Sequence, residues 1–513
     1  MNALQNEPVS QQTFTQFLFH NRQNRITLYL AAAAIIIQFV IFKSLYPFAN
    51  YIHGDSFTYL RAADQNLTIN TYPIGYSKFL RLVSVFAKPD WVLVSLQYLL
   101  IQCSSLFLLF TLFYFYKAGR VIQVVLLCFM TFNPLSLHLG NMVSSDGLFL
   151  ALSMTWFALL LWIIYKPSNK IIFWHALVLF AAFIVRYNAL IYPFIAAVAF
   201  GLSKLSLRKK ITGLGLGLLL IGWFVVLSMF QYKKLTGYWQ FSAFSGWQWA
   251  NNALYIYREV HSADRVPVPM KFRALDNMVR NLYDKHPDLE IGEAGTFFMW
   301  APRLPLMQYS DSMFIKDITA TRLKKWASMG PLYSSYGLYI IKKYPLHFLR
   351  YFVWPNSQKY LIPPVEYLGN YNWGYPTVPE SAVKWFGYKN NQVKTSMKNG
   401  KIWILNYYPI LVCFTNLFML LGLLSYALLK GWQYNTTFNK CIILAGLAWI
   451  VNTGFIIFAA SAALRYQAFP ALLSVIFSLL LIEWIASLMQ RMKHENQQQK
   501  PVGDYAQKAE VVG

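Results

Sequence analysis

ITLYLAAAAIIIQFVIFKSLYPFANYIHGDSFTYLRA, residues 26–62, joins an apolar run to an acid. The run 26–47 is long enough to cross a bilayer, which needs about 20 apolar residues. Asp55 follows at its mouth, between Gly54 and Ser56. An ionisable group beside a bilayer is costly unless it is solvated or used. Runs of this kind recur at 27–47, 92–115, 120–138, 147–165, 171–185, 189–203, 211–231, 403–429, 441–460 and 468–489. The expected fold is therefore an all-α polytopic membrane protein of about ten transmembrane helices. The fifth and sixth runs are short and share one apolar block, broken at Arg186-Tyr187-Asn188.

Composition agrees with this class. Of 513 residues, 57% are hydrophobic and 13% charged, against about 25% charged in soluble domains. Aromatic residues make up 18%, which suits interfacial belts and sugar-binding surfaces alike. The net charge of +25 does not indicate nucleic acid, because the basic residues lie in loops between spans rather than in one patch. Cys103, Cys128, Cys413 and Cys441 sit in or at the ends of apolar runs and lack metal-ligand spacing, so neither disulfides nor a zinc site is implied.

If the helices alternate, six basic clusters share one side: Arg22/Arg25, Lys117/Arg120, Lys166/Lys170, Lys204/Arg208/Lys209/Lys210, Lys430/Lys440 and Arg491/Lys493. The positive-inside rule makes that side cytoplasmic. Residues 1–26 then form a cytoplasmic segment leading into a signal anchor, 27–231 a transmembrane core with a first outer loop at 48–91, 232–402 an outer segment of mixed or irregular structure, 403–489 the C-terminal helices, and 490–513 a disordered cytoplasmic tail.

The opposite side receives Asp55 and Asp64 in the first loop, Asp146 in NMVSSDGLF, Arg186 in FIVRYNALIYP and Arg465 in AALRYQAFPALL. A half-buried carboxylate can take a proton from a hydroxyl nucleophile. Guanidinium groups can hold a phosphate and stabilise it as a leaving group. Each residue also has a plainer role. Asp55 or Asp146 could cap a helix, Asp64 could be a solvated surface acid, and the arginines could be interfacial anchors. Asp55 and Asp146 could also meet around a divalent cation such as Mg or Mn. The outer segment is rich in amides and rings, notably FSAFSGWQWANNALYIY and WPNSQKYLIPPVEYLGNYNWGYPTVPE, groups that bind sugars or anchor at an interface.

Four stretches together resemble the GT-C superfamily of membrane glycosyltransferases, and within it the bacterial relatives of protein O-mannosyltransferases and of the lipid A aminoarabinose transferase. They are HGDSFTYLRAA, TYPIGYSKFLRLVSVF, NPLSLHLGNMVSSDGLFLALSMTWFALL and LRYQAFPALLSVIFSLL. Relatives often carry two adjacent acids in the first loop, whereas Ser56 follows Asp55 here. The resemblance implies an inverting transfer from a polyprenyl-phosphate sugar to an acceptor hydroxyl of a lipid, glycan or protein. This would take place on the periplasmic face of a bacterial inner membrane. Asp55 would be the general base, Asp146 would position the acceptor or a metal, and Arg186 and Arg465 would hold the donor phosphate. Asp64, Tyr72, Tyr187 and Tyr466 are secondary candidates. An O-antigen ligase or polymerase would share this substrate class. A transporter or flippase usually shows internal repeats and charged groups near the midplane, and neither pattern is evident here.

Overall fold

The structure is a computed structural model that describes residues 12–289, 295–459 and 461–498. Eight of its helices are long and apolar enough to cross a membrane: Arg22–Leu45, Asp90–Phe115, Arg120–Gly140, Ser145–Tyr165, Leu207–Thr236, Trp403–Leu428, Thr436–Ala459 and Ala468–Glu495. The chain is thus a multi-pass integral membrane protein. The fifth and sixth predicted spans appear as shorter apolar helices, Asn169–Val185 and Tyr187–Leu202. They separate at Arg186, whose backbone is extended (φ −150°, ψ 131°).

Burial sorts the spans into inner and outer positions. Ser145–Tyr165 has 83% of its apolar window buried, so it is the central helix, whereas Arg22–Leu45 has only 17% and faces outward. On the latter, Leu30, Ile36, Val40 and Ile41 are exposed, as expected where lipid rather than protein supplies the apolar surroundings. The third predicted span is broken. Arg120–Thr131 stops before Asn133, whose side chain caps a second helix, Pro134–Gly140, by accepting from Leu135 N at 2.9 Å. Pro134 sits at the first turn of that helix, where its missing N–H costs nothing.

The bundle has two distinct ends. At one, Asn50 N donates to Asn141 O (2.8 Å) and Val143 N to Asn50 O (2.9 Å), tying the first loop to the start of Ser145–Tyr165. At the other, Gly119 N donates to Glu483 Oε1, Tyr165 Oη to Thr437 O, and Lys440 Nζ to Leu202 O. The basic loops around Lys117, Lys166, Lys204 and Lys430 lie at this second end.

The segment between the fifth and sixth long helices, Leu207–Thr236 and Trp403–Leu428, departs from expectation in two ways. First, it is helical: among the described residues no strand forms, only the isolated bridges Asn50↔Met142, Asn370↔Lys401 and Thr377↔Gln392. Second, it divides. Its earlier part has its own core, in which helices Phe244–Tyr257 and Arg322–Lys343 cross and Trp247 stacks on Trp326 at 3.9 Å. Glycine makes this crossing close: a Cβ at Gly246 would lie 2.0 Å from Gly330 O. Its later part is a strap of short turns whose Leu368, Tyr371, Val378, Phe386, Ile402 and Leu405 pack into the membrane core instead. The boundaries also move. Leu207–Thr236 runs past 231 and ends at Gly237. The last helix continues to Gln498, through the start of the expected tail. Residues 499–513, the rest of that tail, and residues 1–11 lie outside the described residues.

Candidate functional site

Asp55 is placed by a sharp turn. Gly54 has φ +98°, a conformation open to glycine and disfavoured for side-chain-bearing residues. Helix Asp55–Asp64 begins immediately after it. Ser56 then locks this helix to the neighbouring turn, accepting from Ile52 N (2.8 Å) and donating to Val143 O (2.7 Å). Ser56, which follows Asp55 in the chain, is thus a buried hydroxyl engaged on both sides. Asp55 itself does not cap the helix. Its Oδ1 accepts from Tyr72 Oη at 2.7 Å, and its Oδ2 from Arg465 Nη1 at 2.9 Å.

Asp146 is likewise released from capping. Ser144 is the cap of Ser145–Tyr165, accepting from Asp146 N at 3.1 Å. The Asp146 carboxylate is therefore free to receive hydrogen bonds from Ser144 Oγ and Arg186 Nη1. Arg186 Nη1 also donates to Ser145 Oγ at 3.3 Å. Arg186 reaches this point because helix Asn169–Val185 returns to the level at which Ser145–Tyr165 begins.

Arg465 ties the groups together. It sits in the short turn Leu464–Tyr466 between the last two spans and is buried. Its Nη1 lies 2.9 Å from Asp55 Oδ2 and 3.5 Å from Asp146 Oδ2, and its Nε lies 4.0 Å from Glu366 Oε2. Nη2 donates to Tyr466 Oη. The guanidinium also packs over the rings of Tyr466 (4.4 Å) and Tyr367 (5.0 Å). Tyr466 meets the Arg186 guanidinium as well, at 4.9 Å, so one ring serves both cations. Neither arginine is an interfacial anchor: both turn inward to carboxylates. Burial opposes the charge on Arg465, but Tyr466, Asp55, Asp146 and Glu366 hold its proton more tightly than usual. Burial pushes the Glu366 carboxyl above its ordinary value, with Arg465 opposing. Burial, then Asp55, raises the Tyr72 hydroxyl well above the usual tyrosine range, so it remains a donor.

Two cavities meet at this cluster. The smaller, about 350 Å³, is lined by Ser144–Asp146, Arg186, Tyr187, Arg465 and Tyr466, with Leu190, Phe455 and Ile456 supplying apolar wall. The larger, about 910 Å³, lies between the first loop and the outer helices and is lined by His53, Arg61, Lys234, Trp300, Arg322 and Trp326 among others. Asp55 and Tyr72 line both. A carboxylate with one face in each chamber can accept a proton on one side of a reaction whose leaving group sits on the other.

Of the residues expected from sequence, Asp55, Asp146, Arg186, Arg465, Tyr72, Tyr187 and Tyr466 come together. Asp64 does not. It is exposed at the far end of its helix and lines neither cavity. The space between Asp55 and Asp146, where the two acids could meet around a divalent cation, holds a guanidinium nitrogen. Among the described residues no group of three His, Cys, Asp or Glu is arranged to hold a metal. Sequence reading missed Glu366, Tyr367, Tyr59 and Ser145. Tyr59 donates to or accepts from Ser145 at 3.1 Å beneath the acids. Glu366 stands at φ +48°, a strained geometry for a residue with a side chain. Its one legible sign is an acid within IPPVEYLG, beside prolines. Set against models of known protein families, curated proteins and solved structures, the chain finds no match, and the resemblance to the GT-C superfamily stands on its four quoted stretches alone.

Proposed function

We propose that the protein is an integral-membrane glycosyltransferase that moves a sugar from a polyprenyl-phosphate donor to an acceptor hydroxyl, with inversion. The observation that carries this reading is the placement of Asp55 on the wall shared by two cavities, with Arg186 and Arg465 in only the smaller one. The donor phosphate would lie in the smaller cavity. There Nε–H and Nη2–H of Arg186 have no protein acceptor among the described residues, leaving an edge for phosphate oxygens. The prenyl chain would leave along the apolar wall at Leu190, Phe455 and Ile456.

The acceptor would enter from the larger cavity. Its hydroxyl would give its proton to Asp55 as the oxygen attacks the anomeric carbon. The bond from that carbon to the phosphate oxygen breaks, and the electron pair leaves with the phosphate. Arg186 and Arg465, held in place by their carboxylate partners, take up the developing charge. Asp146 orients Arg186, and Tyr72 orients Asp55. The basic loops lie at the opposite end of the bundle, so the site would face the periplasm of a bacterial inner membrane. A transporter of the same lipid would need its charged groups near the bilayer midplane, whereas these gather at one end of the spans.

The test is Asp55→Asn in membranes with normal protein levels, assayed for transfer of radiolabelled sugar from polyprenyl-phosphate sugars to endogenous acceptors. Loss of about 10²–10⁴-fold is the expected size for a general base. Equal transfer by both proteins would rule out this role for Asp55.

A further inference from the structure

The larger cavity carries a charge that the proposed transfer does not use. Three cations line it from three separate elements: Arg61 on helix Asp55–Asp64, Lys234 in the last turn of Leu207–Thr236, and Arg322 at the start of Arg322–Lys343. All three are exposed, and none is paired with an acid among the described residues. The one acid in the described lining is Asp55, already matched by Arg465.

Arg322 is informative on its own. The positive end of a helix dipole favours acids in the first turn, yet Arg322–Lys343 has none there and begins with Arg322, Lys324 and Lys325. Lys324 is offset by Asp317 at 2.8 Å and Lys325 by Asp311 at 3.5 Å. Arg322 has no such partner among the described residues, so its charge adds to that of the helix end at the cavity wall. Rings complete the chamber. Trp300, one face of which rests on the buried Trp326 at 4.8 Å, and Trp373 in the strap, held at φ +52°, both line it. Flat indole faces fit the C–H faces of sugar rings, and separated guanidinium and ammonium groups fit phosphate or carboxylate.

We propose that this chamber binds an anionic saccharide, its rings on Trp300 and Trp373 and its phosphate or carboxylate groups on Arg61, Lys234 and Arg322, and that this is the acceptor. The proposal rests on the glycosyltransferase reading only for the word acceptor; the binding chemistry stands apart from it.

The experiment is calorimetric titration of the full-length protein in phosphatidylcholine nanodiscs with two soluble probes of equal length, tetragalacturonate and maltotetraose. Tetragalacturonate is expected to bind, to weaken as salt is raised, and to lose at least about tenfold in affinity, roughly one charge contact, in the triple variant Arg61→Gln/Lys234→Gln/Arg322→Gln. The charge-keeping pair Arg61→Lys/Arg322→Lys should stay closer to the parent, which separates lost charge from misfolding. Maltotetraose binding as tightly, an unaffected triple variant, or no tetragalacturonate binding up to about 10 mM would each overturn the proposal. Nanodiscs containing phosphatidylglycerol form a second arm. Displacement of the probe there would mark the anion as lipid-borne, and none would mark it as carried by a soluble glycan; both outcomes support an anion site. If Asp55→Asn abolishes transfer while the two probes bind alike, the transferase reading stands and the anionic acceptor falls. If binding is charge-selective while Asp55→Asn transfers normally, the site stands and the role given to Asp55 falls.

Discussion

Arg465 Nη1 and Asp55 Oδ2 lie 2.9 Å apart although 410 positions separate them in the chain. This contact joins the turn before the last span to the loop after the first, and Asp146 lies within 3.5 Å of the same nitrogen. Truncating Arg465 would leave Asp146, whose side chain is 1% exposed, without half of its compensation. We expect Arg465→Ala to cost about 3–5 kcal/mol, the usual price of breaking a buried pair from one side. Thermal unfolding in detergent would show it. Arg465→Lys should recover part of the loss, since it keeps the charge but not the fork that serves Asp55 and Tyr466 together.

Tyr72 holds Asp55 Oδ1 from the rim of both cavities. Tyr72→Phe keeps the ring packing on Tyr59 and removes the hydrogen bond. A hydrogen bond to a charged group is worth about 1.5–3 kcal/mol. Transfer should therefore fall by about tenfold or more, with KM for the donor little changed. A variant equal to wild type in kcat would show that Tyr72 is only packing.

Glu366 supplies a pH signature. Its folded-state carboxyl is raised above the ordinary glutamate value of 4.5, first by burial. The folded chain therefore binds its proton more tightly than the unfolded chain. This contribution to stability is fully present below the unfolded value and is lost as pH rises through the folded one. Glu366→Gln should flatten the stability profile in the window just above 4.5 and gain on wild type at higher pH. Parallel profiles for the two proteins across that window would contradict it.

The two ends of the bundle can be told apart by labelling. Ile318 is 93% exposed in the outer helical unit, and Ser206 is exposed at the basic end. In a background without the native cysteines, Ile318→Cys should react with a membrane-impermeant maleimide added outside intact cells. Ser206→Cys should react only after permeabilisation. The reverse pattern would invert the proposed orientation.

Much of the architecture was legible because a bilayer imposes a length and a polarity on each span independently of its neighbours. The long apolar runs are therefore helices close to where hydropathy puts them, and the break at Arg186 shows as a polar triplet inside an apolar block. The division of the outer segment was not legible. Trp247 and Phe386 are equally apolar, yet one enters the outer core and the other the membrane core. Composition carries no instruction about which partner an aromatic side chain will find. Glu366 escaped notice for the same reason: it is an isolated acid until the strap folds it to within 4.0 Å of Arg465.

The sequence by itself determined a multi-pass helical chain, the gathering of basic loops at one end, and the return of Asp55, Asp146, Arg186 and Arg465 to the other, because alternation of spans fixes the end at which each loop emerges. Only the tertiary structure decided that both arginines turn inward, that Asp64 stays out, and that Asp55 lies between two chambers. Those outcomes depend on distances of a few ångströms between side chains hundreds of residues apart. Such distances are set by the packing of many helices at once, not by any local pattern.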